Sequence, residues 1–282
     1  MRFSILIAAT SFAALAACAP QEPAGPDVQL YAMDCGRIHV DNASMFANNG
    51  AFDGVARDLV DPCYLIRHPG GDLLWDAGLP EAIADAEGGV VTEGPFELRV
   101  PVRLTEQLAQ LDLTPADIEF ISVSHSHFDH VGNAALFYQA TWIVDADERA
   151  FMFREDARAA EEFALIAPLE NFETQLIEGD GDFDVFGDGS VTIVQTPGHT
   201  PGHAVLLVRL PEAGPVLLTG DMYHLAESRE LRTVPEFNTD RIQTQQSFDK
   251  VEALAAETGA RVIRQHVPED FDALPQFPEP LR

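Results

Sequence analysis

"SHSHFDH", residues 124 to 130, places three histidines and an aspartate within seven residues of a chain that has 9 histidines in 282 residues. His125 and His127 are two positions apart on an extended stretch, so their side chains point to the same side. Asp129 and His130 follow where the chain turns over. Imidazole nitrogens together with carboxylate oxygens are ligands that suit zinc. The stretch therefore predicts a metal site at the end of a strand.

Other residues of the same ligand types follow other strand-like runs. "VTIVQTPGH" ends in His199, "PVLLTGD" ends in Asp221 and "RVIRQH" ends in His266. In an α/β sheet, the end of a strand holds its side chains rigidly at an edge where loops leave room for a substrate. Because four apolar runs each finish in a ligand type, we expect a single metal cluster. Its members are His125, His127, Asp129, His130, His199, Asp221 and His266.

Two further histidines, His39 and His68, stand apart from this cluster in the sequence. A lone histidine at a strand end is more often a hydrogen-bonded polar residue than a metal ligand. We therefore assign neither of them to the metal site.

The body of the chain alternates short β-rich runs with longer polar or alanine-rich stretches. Strands are predicted at 28–32, 63–67, 72–75, 118–123, 141–144, 191–195, 204–209, 215–218 and 261–263. Helices are predicted at 103–111, 147–160 and 241–258. Mixed strands and helices over about 255 residues indicate a layered α/β architecture.

The composition limits the range of partners. The formal net charge is −29, from 46 acidic and 17 basic residues. A chain this acidic is repelled by phosphate backbones, so we expect no nucleic-acid partner. We interpret the excess of acidic residues as a solvated acidic surface rather than as a specific cation-binding feature.

The N-terminus resembles an export signal. Residues 1–17 combine a positive start with an apolar, alanine-rich run that is too short for a membrane span of about 20 residues. "LAAC" resembles the lipobox of bacterial lipoproteins, in which Cys18 would carry the lipid anchor. The alternative is an ordinary secretory signal cut after Ala19, although Pro20 is disfavoured at that place. Residues 18–27 then form a linker and 28–282 the folded domain, and the protein is expected in the periplasm or on the outer membrane.

Export also bears on the other two cysteines, Cys35 and Cys63. Both lie in strand-like stretches, and in an oxidising compartment they could form a disulfide. Two buried free thiols are an equally good interpretation. The sequence leaves both alternatives open.

The complete motif set resembles the metallo-β-lactamase superfamily of dinuclear hydrolases. The matching elements are HxHxDH at 125–130, "TPGHTPGH" at 196–203, "TGD" at 219–221 and a late His266. The resemblance implies an α/β fold of the αββα sandwich type with the metals at one edge. It also implies that Asp221 bridges the two sites, and it gives the second histidine of "TPGHTPGH", His203, a structural role. One implied site is His125, His127 and His199, and the other is Asp129, His130 and His266.

Several branches of this superfamily fit less well. β-Lactamases place Cys or Ser where "TGD" stands, and redox members with diiron centres carry Glu where His127 stands. Nuclease members need a surface that tolerates phosphate, which the charge does not provide. Glyoxalase II enzymes carry basic residues near the C-terminus, where this chain reads "QHVPEDFDALPQFPEPLR".

Longer stretches resemble quorum-quenching N-acyl-homoserine lactone lactonases, especially exported ones of the marine type. They include "CYLIRHPGGDLLWDAGLP", "SHSHFDHVGN", "LLTGDMYH" and "FNTDR". The resemblance implies a hydrolase with two Zn²⁺, other divalent metals being alternatives, that acts on a small-molecule lactone. A homodimer is compatible with this resemblance. The better-known cytoplasmic lactonases carry a Tyr three residues after the bridging Asp, where this chain has His224, with Tyr223 one residue earlier.

The implied chemistry assigns roles to few side chains. Asp129 would orient the attacking hydroxide and pass its proton to the leaving oxygen, and Tyr223 or His224 would donate to the oxyanion. Met45, Phe46 and Phe52, in an irregular stretch at 41–55, would form an apolar wall for the acyl chain.

Two other functions remain open at this point. The first is a promiscuous esterase or phosphotriesterase that uses the same dinuclear site. The second is a surface lipoprotein that binds metal only to stabilise its fold. An intact bridging aspartate and an open ligand position favour an enzyme, because structural zinc sites are closed by four protein ligands.

Overall fold

The computed structural model describes residues 25–160 and 163–282. The predicted signal, residues 1–17, and Cys18 lie outside the described residues. In the part of the chain that is described, no helix has the length and apolar character needed to cross a membrane.

Two β-sheets form the centre of the molecule. The first sheet has the order β4-β5-β1-β2-β3-β6-β7-β8, and the second has the order β13-β12-β11-β10-β9. The strands of the first sheet are β1 (Gln29–Val40), β2 (Arg57–His68), β3 (Gly71–Trp75), β4 (Val91–Glu93), β5 (Phe96–Arg99), β6 (Phe120–Ser122), β7 (Thr141–Asp145) and β8 (Thr174–Ile177). Those of the second are β9 (Phe183–Asp184), β10 (Val191–Gln195), β11 (Ala204–Leu210), β12 (Gly214–Leu218) and β13 (Arg261–Ile263).

Helices flank the two sheets and occupy loops at their edges. They are α1 (Leu104–Gln110), α2 (Phe128–Val131), α3 (Ala146–Met152), α4 (Phe163–Ile166), α5 (Ser228–Leu231), α6 (Arg241–Thr258) and α7 (Pro268–Asp272). Leu104 and Leu108 of α1 pack in one core with the outer face of the first sheet. Phe248 and Val251 of α6 pack with Leu217 on the outer face of the second.

A third core lies between the sheets, and strand alternation divides the side chains among the layers. On β2, Tyr64 and Ile66 face the second sheet while Leu65 faces the helices. On β12, Leu218 faces the first sheet and Leu217 faces α6. The order helix, sheet, sheet, helix confirms the predicted αββα sandwich.

The structure extends and corrects the predicted elements. The nine predicted strands are present and β1 and β2 run longer than expected, whereas β4, β5, β8 and β9 were not predicted. The helix predicted at 147–160 is wrong in length, because α3 ends at Met152. Residues 153–160 are mostly exposed, so no apolar face stabilises further helical turns there.

A disulfide joins Cys35 on β1 to Cys63 on β2, with the two Cα atoms 5.7 Å apart. This pairing decides between the two alternatives that the sequence left open.

Strand directions explain why the site lies at one edge. β12 and β13 are parallel, and β10 runs in the same direction because both β10 and β12 are antiparallel to β11. β3 and β6 are parallel to each other in the first sheet. The loops that follow these strand ends carry the clustered side chains.

Candidate metal centre

The loop after β6 changes direction within the motif at 124–130. His125 and His127 lie on its extended part, and His127 has the extended dihedral angles of a residue that precedes a helix (φ −70°, ψ 157°). α2 begins at the next residue, so Asp129 and His130 turn away from the direction of the first two histidines. The motif therefore presents two pairs of ligand groups in different directions from one short loop.

Three histidines form one half of the centre. His127 Nδ1 lies 2.9 Å from His125 Nε2 and 3.1 Å from His199 Nε2. His125 Nε2 and His199 Nε2 are 3.2 Å apart. His125 and His199 are buried, and His127 also faces a cavity.

Asp221 lies between this group and a second one. Its Oδ2 is 3.4 Å from His125 Nε2 and 3.2 Å from His199 Nε2. Its Oδ1 is 3.1 Å from His130 Nε2 and 2.9 Å from His266 Nε2. One carboxylate thus offers one oxygen to each side, which is the geometry expected of a bridging ligand.

Asp129 completes the second side at a greater distance. Its carboxylate oxygens lie 3.9 Å from His130 Nε2 and 3.8 Å from His266 Nε2. The ligand atoms of Asp129, His130 and His266 all lie within 4.8 Å of one another, as do those of the other four residues. The structure therefore brings all seven predicted ligands together in the two groups that the resemblance implied.

Partners on the outer side of each ring fix which nitrogen faces the centre. His199 Nδ1 donates to Asn238 Oδ1 at 2.8 Å, and His266 Nδ1 donates to the Val60 carbonyl at 2.9 Å. His130 Nδ1 lies 3.1 Å from Asp76 Oδ2. Sequence reasoning missed these positioning roles, although Asp76 lies in "LLWDAGLP" and Asn238 in "FNTDR", both of which carried the resemblance.

His203 has the structural role that the resemblance implied. Its Nε2 accepts the backbone N–H of Asp221 at 3.1 Å, and its Nδ1 lies 3.0 Å from Thr196 Oγ1. Burial lowers the pKa of His203 to about 3, which keeps the ring neutral and able to accept that hydrogen bond. His203 therefore holds the backbone of Asp221 rather than contributing to either ligand group.

Charge and burial oppose each other within the centre. Burial lowers the pKa of both His125 and His127 well below the usual value. Burial also disfavours protonation of His266, but the neighbouring carboxylates, Asp221 first, outweigh it and raise the pKa of His266 to about 9. The surrounding histidines, His224 first, hold the pKa of Asp221 well below its usual range despite its burial.

The donor set fits two zinc ions. Imidazole nitrogens at 2.9–3.2 Å from one another each present a lone pair or a proton to the same small space. His130 Nε2 is buried, and its 3.1 Å contact with Asp221 Oδ1 lacks the geometry of a hydrogen bond. A cation between such groups satisfies all of them at once, and nitrogen and carboxylate ligands are the set that zinc prefers.

A cavity of about 270 Å³ opens onto both groups. His127, Asp129, Asp221, His224 and His266 form its polar floor. The remaining wall is apolar and comprises Ile38, Met45, Phe46, Leu59, Phe96, Phe128 and Phe237. The arrangement can accept a polar reacting group at the floor and an apolar substituent along the wall.

The structure places two of the three predicted wall residues at this cavity. Met45 and Phe46 line it, Phe46 from a single 3₁₀ turn at Ala43–Phe46. The prediction for Phe52 is wrong, because Phe52 does not line the cavity and its side chain is 2% exposed in an apolar core. Phe96 and Phe237 come from distant parts of the sequence, which gave no signal for them.

The structure separates the two candidates for an oxyanion donor. Tyr223 donates its hydroxyl hydrogen to Glu252 at 2.7 Å and stacks on Phe248, on the α6 side of the second sheet. The assignment of Tyr223 to catalysis is therefore wrong. His224 lines the cavity, and its Nε2 lies 3.0 Å from Asp221 Oδ2.

His39 and His68 lie outside the centre, as expected of isolated histidines. His39 contacts Asp58 and Asp41 at 2.7 and 3.3 Å. His68 stacks on Phe186 and contacts Asp188 at 2.9 Å. Both rings use their nitrogens in local hydrogen bonds.

Comparison with known proteins gives a consistent result. The family model of the metallo-beta-lactamase superfamily matches residues 57–266. The N-acyl homoserine lactonase AttM of Azorhizobium caulinodans is 33% identical over 264 residues, which cover 89% of this chain and 96% of that protein.

Solved structures agree in fold. An N-acyl homoserine lactone hydrolase with the product N-hexanoyl-L-homoserine bound at its catalytic metal center has a TM-score of 0.75 and 28% identity, over 90% of this chain and 98% of that one. AidC, a dizinc quorum-quenching lactonase in complex with a product, has a TM-score of 0.64 over 87% and 89% of the two chains. At 18% identity, the likeness to AidC concerns the fold alone.

Proposed function

The chain belongs to the metallo-β-lactamase superfamily, and from this membership and the site geometry we propose that it is a dizinc hydrolase that opens the ring of N-acyl homoserine lactones. Two relatives of more than 30% identity, both named N-acyl homoserine lactonase AttM, match over 89% of this chain. The lactone is a small-molecule substrate, and the bond cleaved is a carboxylic ester.

The position of Asp221 is the observation that carries this proposal. Its two oxygens face two separate groups of histidine nitrogens at 2.9–3.4 Å, directly below an apolar cavity. A purely structural zinc site is closed by protein ligands and has no reason to open onto such a cavity. The arrangement therefore supports a metal-dependent enzyme.

Zinc would be held by the two groups of side chains already described. His125, His127 and His199 would hold one ion, Asp129, His130 and His266 the other, and Asp221 would bind both. Two zinc ions supply a water of lowered pKa and polarise the ester carbonyl.

Asp129 is placed to handle the proton of the reaction. It lines the cavity floor, and its carboxylate is 3.8–3.9 Å from the nearest histidine nitrogens of its group. From there it can accept a hydrogen bond from the attacking water and direct its lone pair toward the carbonyl carbon. The proton that Asp129 takes up can then pass to the ring oxygen as the C–O bond breaks.

His224 is placed to bind the carbonyl oxygen. Its Nε2 lies 3.0 Å from Asp221 Oδ2 without the geometry of a hydrogen bond, and the ring lines the cavity. Burial lowers the pKa of His224, which favours the neutral ring. A neutral imidazole N–H can donate to the carbonyl oxygen and to the oxyanion that forms from it.

A comparison of substrates tests this function. Zinc-loaded protein is assayed on N-hexanoyl homoserine lactone, an aryl ester and an organophosphate triester. Complementarity of the apolar wall to an acyl chain should favour the lactone in kcat/KM by on the order of 100-fold. Equal or greater turnover of the aryl ester or the triester would instead indicate a promiscuous esterase or phosphotriesterase.

The location of the protein is part of the same proposal. A lipid on Cys18 is supported by the "LAAC" sequence. Export is supported by the Cys35–Cys63 disulfide, because such bonds persist in oxidising compartments. Labelling cells with a radioactive fatty acid should mark the wild-type chain and not Cys18→Ser. An unlabelled wild-type chain in the periplasm would indicate an ordinary secretory signal.

A further inference from the structure

Glu148 is a buried carboxylate that belongs to neither ligand group. It lies on α3, and its side chain is 1% exposed. Burial raises the pKa of this carboxyl, against hydrogen bonds that favour the charged form. A carboxylate removed from water in this way needs strong donors to be stable.

Two backbone N–H groups supply those donors, and they come from different loops. Ser126 donates to Oε1 at 2.7 Å, and Gly202 donates to Oε2 at 2.9 Å. Ser126 lies between His125 and His127, whereas Gly202 lies three residues after His199. One side chain therefore connects the two loops that carry the three-histidine group.

The second loop packs directly on the start of α3. A Cβ at Gly202 would lie 2.3 Å from Asp145 Oδ1 and 2.5 Å from Glu148 N, so no side chain fits at this position. Asp145 caps α3 by accepting from Asp147 N and Glu148 N at 2.7 and 3.1 Å. The helix start is thus a fixed support on which Glu148 holds both loops.

The ligand distances show why this connection matters. The nitrogen of His199 lies 3.1 and 3.2 Å from those of His127 and His125, and these contacts join one loop to the other. Coordination bonds to zinc tolerate only small changes in length, about 0.2 Å. A small displacement of one loop would therefore pull His199 away from the other two ligands.

We propose that Glu148 is a positioning residue that sets the separation between the loop of His125 and His127 and the loop of His199. This inference rests on the proposed dizinc function, although Glu148 makes no hydrogen bond to a ligand side chain and does not line the cavity. The second ligand group is held by other contacts, such as Asp76 with His130. Loss of Glu148 should therefore weaken one of the two zinc sites much more than the other.

The test compares Glu148→Gln with Asp145→Asn. The glutamine has the same shape, but its NH₂ group cannot accept the second N–H, so one loop loses its anchor. Asparagine is itself a good helix cap, so Asp145→Asn keeps α3 and leaves in place the hydrogen bonds that the Glu148 side chain accepts from Ser126 and Gly202. Zinc affinities are measured by competition with a chromophoric chelator, and the visible spectrum of the Co²⁺-loaded protein reports the ligand geometry.

We expect Glu148→Gln to fold, to bind one zinc ion 10- to 100-fold more weakly, and to show an altered Co²⁺ spectrum, since loss of a partner outside the ligand set typically costs about that much affinity. Asp145→Asn should resemble the wild type in both measurements. If Glu148→Gln does not fold, Glu148→Asp keeps the charge with a shorter reach and should weaken the same site.

Wild-type zinc affinities and an unchanged Co²⁺ spectrum in the folded variant would overturn the proposal, even if its thermal stability or its activity falls. The lactone assay is run on the same samples. A wild-type protein that binds two zinc ions and opens no lactone would contradict the proposed function, while the affinity comparison would still decide the role of Glu148.

Discussion

The floor and the wall of the same cavity are built in different ways. The floor carries the ligand groups, whose side chains leave the ends of strands and are held on their outer side by partners such as Asn238 and Asp76. The wall is formed by apolar side chains from strands and from loops, such as Phe96 on β5, Phe46 and Phe237, and Phe46 and Phe96 belong to one apolar core. Changes to the floor should therefore alter catalysis, and changes to the wall should alter which acyl chain is accepted.

Removal of the metals changes the floor and should have the largest effect on activity and stability. A chelator should abolish lactone opening and lower the free energy of unfolding by about 4 kcal/mol for each of the two zinc ions, relative to protein in zinc at 1,000 times the dissociation constant. The physical reason is that the two ligand groups bring five histidines and two aspartates together in mostly buried positions. Denaturant unfolding of the apo and zinc-loaded forms measures this difference, and equal stabilities would show that the floor does not bind metal.

Replacement of His224 should have the next largest effect on catalysis. His224→Ala removes the donor to the oxyanion and should lower kcat by on the order of 100-fold with both zinc ions retained. Tyr223→Phe is the matched control, because that hydroxyl bonds Glu252 away from the cavity. It should leave kcat unchanged and lower stability by about 1.5 kcal/mol. The reverse pattern would show that Tyr223, and not His224, donates to the oxyanion.

Replacement of wall residues should have the smallest effect on catalysis. Phe237 is 40% exposed at the cavity, so Phe237→Ala should change the ratio of kcat/KM for decanoyl and butanoyl lactones by about 10-fold with little loss of stability. Phe52→Ala should leave this ratio unchanged and lower the free energy of unfolding by about 3 kcal/mol, because Phe52 lies in the core. Steady-state kinetics across chain lengths and denaturant unfolding measure both effects. If the ratio of kcat/KM changed in Phe52→Ala and not in Phe237→Ala, Phe52 would belong to the cavity wall, as the sequence predicted.

The same contrast explains what the sequence could predict. The seven ligands were found because a strand end fixes its neighbours locally, so apolar runs followed by His or Asp are visible in the sequence. The wall was not found in full because Phe96 and Phe237 reach the cavity only through tertiary packing. Tyr223 and His224 differ by one position, and the backbone after the 3₁₀ turn at Gly220–Met222 decides which side chain faces the cavity.

Contacts between residues that are distant in the sequence were not predicted either. Asp76 contacts His130, 54 residues away, and Asn238 contacts His199, 39 residues away. Glu148 accepts hydrogen bonds from Ser126 and Gly202, which lie 22 residues before it and 54 residues after it. No periodicity in the sequence links such pairs. The short strands β4 and β5 were missed for a related reason, because their half-exposed residues become strands only by pairing with β1 and with each other.

The most direct test of the account is metal analysis coupled to a lactone-hydrolysis assay on the wild type and Asp129→Asn. Asparagine keeps the size of the side chain but cannot take up and return the proton. We predict two equivalents of zinc and lactone opening in the wild type, and a loss of activity of at least about 100-fold in the variant. Full activity of Asp129→Asn, or a wild-type protein that holds two zinc ions and opens no lactone, would contradict it.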